Sequence, residues 1–98
     1  MVTFEFQAAL WEATSTSFWV FLSLPTDVTD EIRERSTVPR RGFGSIPVTV
    51  SIGNTSWTTS IFPDSKRNSY VLPVKKAVRT QQGLAVGDTA AIVLSLEP

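Results

Sequence analysis

The stretch Ile46–Phe62, IPVTVSIGNTSWTTSIF, contains two strand patterns joined by a turn. Over Ile46–Ile52, apolar residues alternate with Pro, Thr and Ser, which is the two-residue period of a strand with one buried face. Gly53-Asn54 predicts a tight turn, and Ser56–Phe62 is the expected partner strand of this hairpin. Because Pro47 has no backbone N–H, we expect the first of these strands to lie at a sheet edge or to begin at a bulge.

Strand patterns also occur on both sides of this hairpin. Thr3–Leu10 and Ser17–Leu24 both alternate, and the short polar segment between them predicts a second hairpin. The second face of Ser17–Leu24 carries Trp19 and Phe21, so we expect that strand to be covered on both faces and these two rings to be buried under a helix. The alternative is that the two rings contact a ligand. Two further strands are predicted, one short and one at the end of the chain, over Tyr70–Leu72 and Asp88–Leu96.

Two short helices interrupt the strands. Asp27–Arg35 has its acidic residues early and its arginines late, and its apolar stripe is Val28 and Ile32. Val74–Gln82 follows a proline and precedes Gly83, and its expected buried residues are Val74, Ala77 and Val78. Six short strands and two helices within residues 1–98 predict a single domain of mainly β class, a small barrel or sandwich.

The composition excludes several kinds of catalytic site. The chain has 98 residues with 9 acidic and 9 basic side chains, and it contains neither histidine nor cysteine. Zinc sites of Cys/His type, the Ser-His-Asp triad and Cys-His pairs therefore cannot form. We expect no cofactor and no metal, and an enzyme would have to use carboxylates or lysine. No run of residues resembles a targeting or membrane segment, so we expect a soluble cytoplasmic protein.

The basic residues are concentrated in the middle of the chain, since residues 33–79 contain all nine. Lys75, Lys76 and Arg79 occur at the predicted start of the second helix, where positive charge opposes the helix dipole. Because residues that break a local rule concentrate at functional sites, this cluster is a candidate site for a phosphate or a carboxylate. The alternative is a solvated basic helix face that pairs with Asp64 or Asp88.

A second basic element, Arg40-Arg41-Gly42-Phe43-Gly44, combines flexible glycines with the forked donors of arginine. It could extend the helix cluster into one patch, or it could be only a flexible loop that enters the next strand. Trp57 could flank such a patch, while Ser60 is a candidate polar contact that also fits the composition of an exposed strand. The candidate ligand-binding residues are therefore Arg40, Arg41, Trp57, Ser60, Lys75, Lys76 and Arg79.

Five segments, in their order and spacing, carry a resemblance to a known family. They are SFWVFLSLP (Ser17–Pro25), GFGSIPV (Gly42–Val48), WTTSIFP (Trp57–Pro63), YVLPVKKAVR (Tyr70–Arg79) and GLAVGDT (Gly83–Thr89). Together they resemble the bacterial domain-of-unknown-function family numbered 1905. The resemblance implies a small six-stranded double-split β-barrel, an architecture also seen in regulators of the AbrB and MazE type. The motif positions to which it points are Trp57, Ser60, Pro63, Leu72, Lys75, Lys76, Arg79, Gly87 and Asp88.

Three functions remain open at this point. The first is a small binding module, monomeric or homodimeric, that engages an anionic small molecule, peptide or protein partner at the basic patch. The alternative is a dimeric DNA-binding regulator of the AbrB/MazE-like barrel type, which a net charge of zero disfavours. An enzyme that works without histidine or cysteine, for example through a pair of Ser60 with a lysine, has the least support.

Overall fold

The computed structural model of the chain describes residues 2–13, 19–35 and 44–96. Within these ranges the chain forms eight elements in the predicted order of strands and helices. They are β1 (Thr3–Glu12), β2 (Val20–Ser23), α1 (Thr26–Arg35), β3 (Ile46–Ile52), β4 (Thr55–Asp64), β5 (Ser69–Pro73), α2 (Lys76–Gln82) and β6 (Thr89–Leu96). The expected fold class, mainly β with two short helices, is therefore confirmed.

The strands form a closed antiparallel barrel in the order β1-β2-β5-β4-β3-β6. The two long strands each change partner along their length. Residues 3–9 of β1 pair with β6 and its last three residues pair with β2, while residues 55–61 of β4 pair with β3 and its last three pair with β5. This double change of partner splits the barrel into two sheets, as expected for a double-split barrel. We call them the β3–β6 sheet and the β2–β5 sheet, after their central strands.

A pseudo-two-fold axis passes between β2 and β5. Leu22 and Leu72 are directly paired and both are fully buried. The ladder extends equally in both directions, because the N–H of Leu24 donates to the carbonyl of Tyr70 at 2.9 Å and the N–H of Val74 donates to that of Val20 at 2.8 Å. Each half of the described chain thus runs long strand, short strand, helix, strand.

The core fills the barrel interior and includes both helices. Inward side chains of all six strands form one cluster with Val28 and Ile32 of α1 and Val78 of α2. Thr29 is fully buried beside them, and its hydroxyl accepts the backbone N–H of Tyr70 at 3.5 Å. Burial of these apolar side chains away from water is the main driving force for the fold.

One expectation about the strands is wrong, and one of the two alternatives for Pro47 is excluded. Trp19 is 59% exposed, and Phe21 is only half-buried. Neither of the two described helices covers them, because α1 and α2 direct their apolar residues into the barrel core. Of the two alternatives for Pro47, the edge strand is excluded, since β3 pairs with β4 and β6. Pro47 lies one residue beyond the described β3–β6 pairing, which starts at Val48, so its missing N–H interrupts no bond of that pairing. A bulge at this position stays a prediction.

The start of α2 also differs from the sequence expectation. The helix begins at Lys76, because the N–H of Val74 bonds to β2 and Lys75 is extended, with φ −65° and ψ 153°. Ala77 is exposed rather than buried. The predicted helix end is confirmed: Gly83 has a φ of 63°, the left-handed conformation that glycine adopts at low cost.

The Leu22–Leu72 pair leads to a stability prediction. Leu72→Ala removes buried methyl groups at the axis, and we expect the free energy of unfolding to fall by about 2–5 kcal/mol in urea titrations. The control is Val93→Ala, which truncates a side chain that is 39% exposed on β6 and should change stability by less than about 0.5 kcal/mol. Equal effects of the two substitutions would contradict the assigned centre of the fold.

Candidate functional site

Lys75 and Lys76 line a concavity of about 280 Å³. Its other walls are Trp19, Val20, Pro73 and Val74. Both lysines are exposed, and neither forms an ion pair with any carboxylate of the described residues. The concavity thus combines two uncompensated positive charges with an exposed indole ring.

The β2–β5 ladder builds this concavity. Phe21 pairs with Pro73, and the Val20–Val74 hydrogen bond continues the same register. The next residues on the two strands are Trp19 and Lys75, so the chain places a ring and a charge side by side. The two lysines therefore lie at the N-terminal end of α2, where Lys75 is the N-cap residue and Lys76 is the first residue of the helix.

The remaining candidate residues lie elsewhere. Arg79 is half-buried, and its Nε donates to the carbonyl of Val74 at 3.2 Å, which ties the first turn of α2 to the end of β5. Trp57 and Ser60 are both on β4. Trp57 is paired with Val50 of β3 and packs against the core, while Ser60 is paired with Pro47 of β3. None of these three lines the concavity beside Trp19.

Arg40 and Arg41 lie outside the described residues, so their expected contribution to a patch is not observed. Of the candidate set, Lys75 and Lys76 come together, and their role in ligand binding stays a prediction. The sequence analysis gave a ligand role for Trp19 only as the alternative to burial and left it out of the candidate set. The alternation of the strand places Trp19 on the face opposite to the buried Val20 and Leu22, and this position could have indicated an exposed ring. We expected a helix to cover that face instead.

Three aromatic rings form a row beside the concavity. The centroids of Trp11 and Phe21 are 5.2 Å apart, and those of Phe21 and Trp19 are 6.0 Å apart with an interplanar angle of 10°. The indole N–H of Trp11 donates to the hydroxyl of Ser23 at 3.0 Å. Trp19 takes part in this row through its stacking on Phe21, which favours one orientation of its exposed ring.

Arg67 covers the far end of the row. Its guanidinium carbon is 3.8 Å from the centroid of the Trp11 ring, and its NH1 donates to Oδ2 of Asp64 at 2.9 Å. Burial alone would raise the pKa of the Asp64 carboxyl. The hydrogen bonds from Arg67 and from the backbone of Lys66 lower this pKa, as does the positive charge of Arg67, and together they hold it below its usual 3.8.

The two acidic residues considered as partners of the lysines have other contacts. Asp64 pairs with Arg67, as described, and Oδ2 of Asp88 accepts the backbone N–H of Ala85 at 2.8 Å. Gly87 has a φ of 93° in this turn, which closes the chain into β6. The Gly-Asp motif therefore forms a turn here.

Two further features are absent from the part of the chain that the structure describes. No group of three Asp or Glu residues is placed to bind a metal ion. Of the two described helices, neither is long and apolar enough to cross a membrane.

Comparison with models of known protein families gives a match. The family model described as "Domain of unknown function (DUF1905)" matches residues 6–94. This span includes every strand and both helices in whole or in large part, and it includes Trp19, Lys75 and Lys76. No curated protein matches the chain.

The Asp64–Arg67 contact predicts a pH dependence. Because the pKa of Asp64 is lower in the folded chain, its carboxylate stabilises the fold at pH values above about 4, and this contribution disappears as the pH falls through the folded pKa. Asp64→Asn should therefore lower the unfolding free energy by about 0.2–1 kcal/mol near neutral pH, and this difference should shrink in acid. Urea titrations at several pH values measure it.

The control for this prediction is Glu5→Gln, which removes a carboxylate from the outer face of β1 far from Arg67 along the barrel. A difference between wild type and Asp64→Asn that stays constant from neutral pH into acid would contradict the assigned role of Asp64.

Proposed function

The chain belongs to the DUF1905 family, and on that premise we propose that it is a binding module that takes up an anionic ligand beside Trp19. The observation that carries the proposal is the concavity in which this exposed ring lies next to Lys75 and Lys76. The ligand class is a small molecule, a peptide or a protein surface that presents a carboxylate or a phosphate.

The lysines supply the preference for a negative charge. They are adjacent in sequence and exposed, and no described carboxylate lies within ion-pair distance of either. Their mutual repulsion is relieved when an anion binds between them. Since an exposed ion pair contributes only about 0.2–1 kcal/mol, the two charges alone would bind weakly and need an apolar contribution.

Trp19 and its neighbours supply that contribution. The ring is 59% exposed and is held by stacking on Phe21, while Pro73 and Val74 form an apolar wall beside it. A ring that already favours one orientation loses little conformational freedom on binding. The geometry therefore suits a ligand that has an anionic group attached to an apolar or planar part.

The DNA-binding alternative has less support from the described residues. Arg33 and Arg35 pair with Asp30 and Glu31 on α1, and Arg67 pairs with Asp64. These arginines are engaged with carboxylates, and the chain has no net positive charge with which to neutralise many phosphates.

The test uses naphthoate, which joins a planar apolar ring to a carboxylate, and naphthamide as its neutral analogue. In ¹⁵N-resolved NMR titrations we expect naphthoate to shift the amide signals of Trp19, Val20 and the Val74–Lys76 segment more strongly than naphthamide does. The paired substitution Lys75→Gln with Lys76→Gln should weaken naphthoate binding about two- to thirtyfold, given the range for two exposed ion pairs.

A matched control removes the same amount of charge elsewhere. Arg35→Gln with Lys66→Gln changes two exposed basic residues that do not line the concavity, and it should leave naphthoate affinity within about twofold. If naphthoate and naphthamide bind equally, or if both double variants weaken binding equally, the proposed function is wrong.

A further inference from the structure

A row of apolar side chains crosses all four strands on the outer face of the β2–β5 sheet. Trp11 of β1 pairs with Phe21 of β2, and Phe21 pairs with Pro73 of β5. On the other side, Phe62 of β4 pairs with Val71 of β5. Most of these residues line a second concavity of about 460 Å³. Its lining residues are Ala13, Trp19, Phe21, Phe62, Val71 and Pro73.

The other sheet shows what an ordinary solvated barrel surface looks like in this chain. The exposed positions on its part of β1 are Thr3, Glu5, Gln7 and Ala9, and those of β4 include Ser56 and Thr58. The same two strands therefore change from a polar outer face to an aromatic one at the residues where they change partner. An apolar face restricted to one sheet is typical of an interaction surface.

The two concavities share Trp19 and Pro73 as a common wall. One is lined only by apolar residues, and the other adds Lys75 and Lys76. No acidic residue lines either of them. The continuous surface thus offers a large apolar area next to a positive edge, and its complement is an apolar group next to a negative one.

We propose that the outer face of the β2–β5 sheet docks a segment of a partner protein in which large apolar side chains lie close to acidic residues. The apolar side chains pack on Phe21, Phe62 and Pro73, and the carboxylates reach Lys75 and Lys76. The second half of this inference rests on the proposed function, because it uses the same lysines. The six strands form a closed ring, so recognition uses side chains rather than addition of a strand to a sheet edge.

Two other occupants fit less well. A single-stranded nucleic acid combines stacked bases with a positively charged groove along its backbone, and the larger concavity has no basic residue in its lining. A second copy docked by a two-fold axis would place this face against itself, so that Lys75 and Lys76 of each copy met a surface with positive charges and no lining carboxylate. Charge complementarity therefore favours an acidic, apolar segment of a different protein.

The test selects peptides from a displayed library of random dodecapeptides on the full chain and measures the enriched sequences as fluorescein-labelled synthetic peptides. We expect enriched sequences that combine large apolar residues with Asp or Glu. Phe62→Ser should weaken their binding at least about tenfold, as for a central apolar contact. The control is Val93→Ser on the β3–β6 sheet, which should leave peptide binding within about twofold. It is a matched control because Val93 is 39% exposed and Phe62 is 38% exposed.

Several outcomes would overturn the docking proposal. They are no enrichment, enrichment without acidic residues, equal effects of Phe62→Ser and Val93→Ser, or a concentration-dependent dimer in sedimentation velocity that Phe62→Ser abolishes. Because Phe62 does not line the concavity with the lysines, naphthoate binding by the Phe62→Ser chain serves as a check that the variant is folded. If the Phe62→Ser variant binds naphthoate as wild type does and also binds the peptides with unchanged affinity, the docking inference is wrong. The proposed function then stays in place.

Discussion

The pairing of β2 with β5 determines most of what is distinctive in this structure. These are two of the shortest described strands, yet their ladder joins the two halves of the chain and contains the fully buried pair Leu22 and Leu72. The same register places Trp19 beside Lys75. A slip of one residue would turn every side chain of β2 to the opposite face, so the core and the candidate site depend on one register.

The pseudo-symmetry of the barrel does not extend to the side chains beyond the two ends of the β2–β5 ladder. The two ends of the β2–β5 ladder are equivalent in backbone geometry, with hydrogen bonds of 2.9 and 2.8 Å. Beyond the Leu24–Tyr70 end lie Pro25 and Ser69, and Ser69 is buried. Beyond the Val20–Val74 end lie an exposed tryptophan and a lysine. Both of those side chains are exposed, and the proposed ligand site is built on them.

The sequence predicted the elements well because their signals are local. The period of two over Ile46–Ile52 defined β3 to the residue, and Gly83 marked the end of α2. The position of Trp19 and the start of α2 could not be predicted in the same way. Both depend on the contact between β2 and β5, which are separated by half the chain, and a four-residue strand carries little periodicity of its own. The candidate site was therefore only partly predicted: its lysines were identified from charge, and its aromatic wall was left out of the candidate set.

The register of β2 against β5 is the claim on which this account depends most, and it can be measured directly in solution. Scalar coupling across hydrogen bonds, recorded by NMR on isotopically labelled protein, identifies the carbonyl that accepts each backbone N–H. The structure predicts a coupling between the amide nitrogen of Val74 and the carbonyl carbon of Val20. A coupling from Val74 to the carbonyl of Trp19 or Phe21 instead would show a shifted register and would contradict the account.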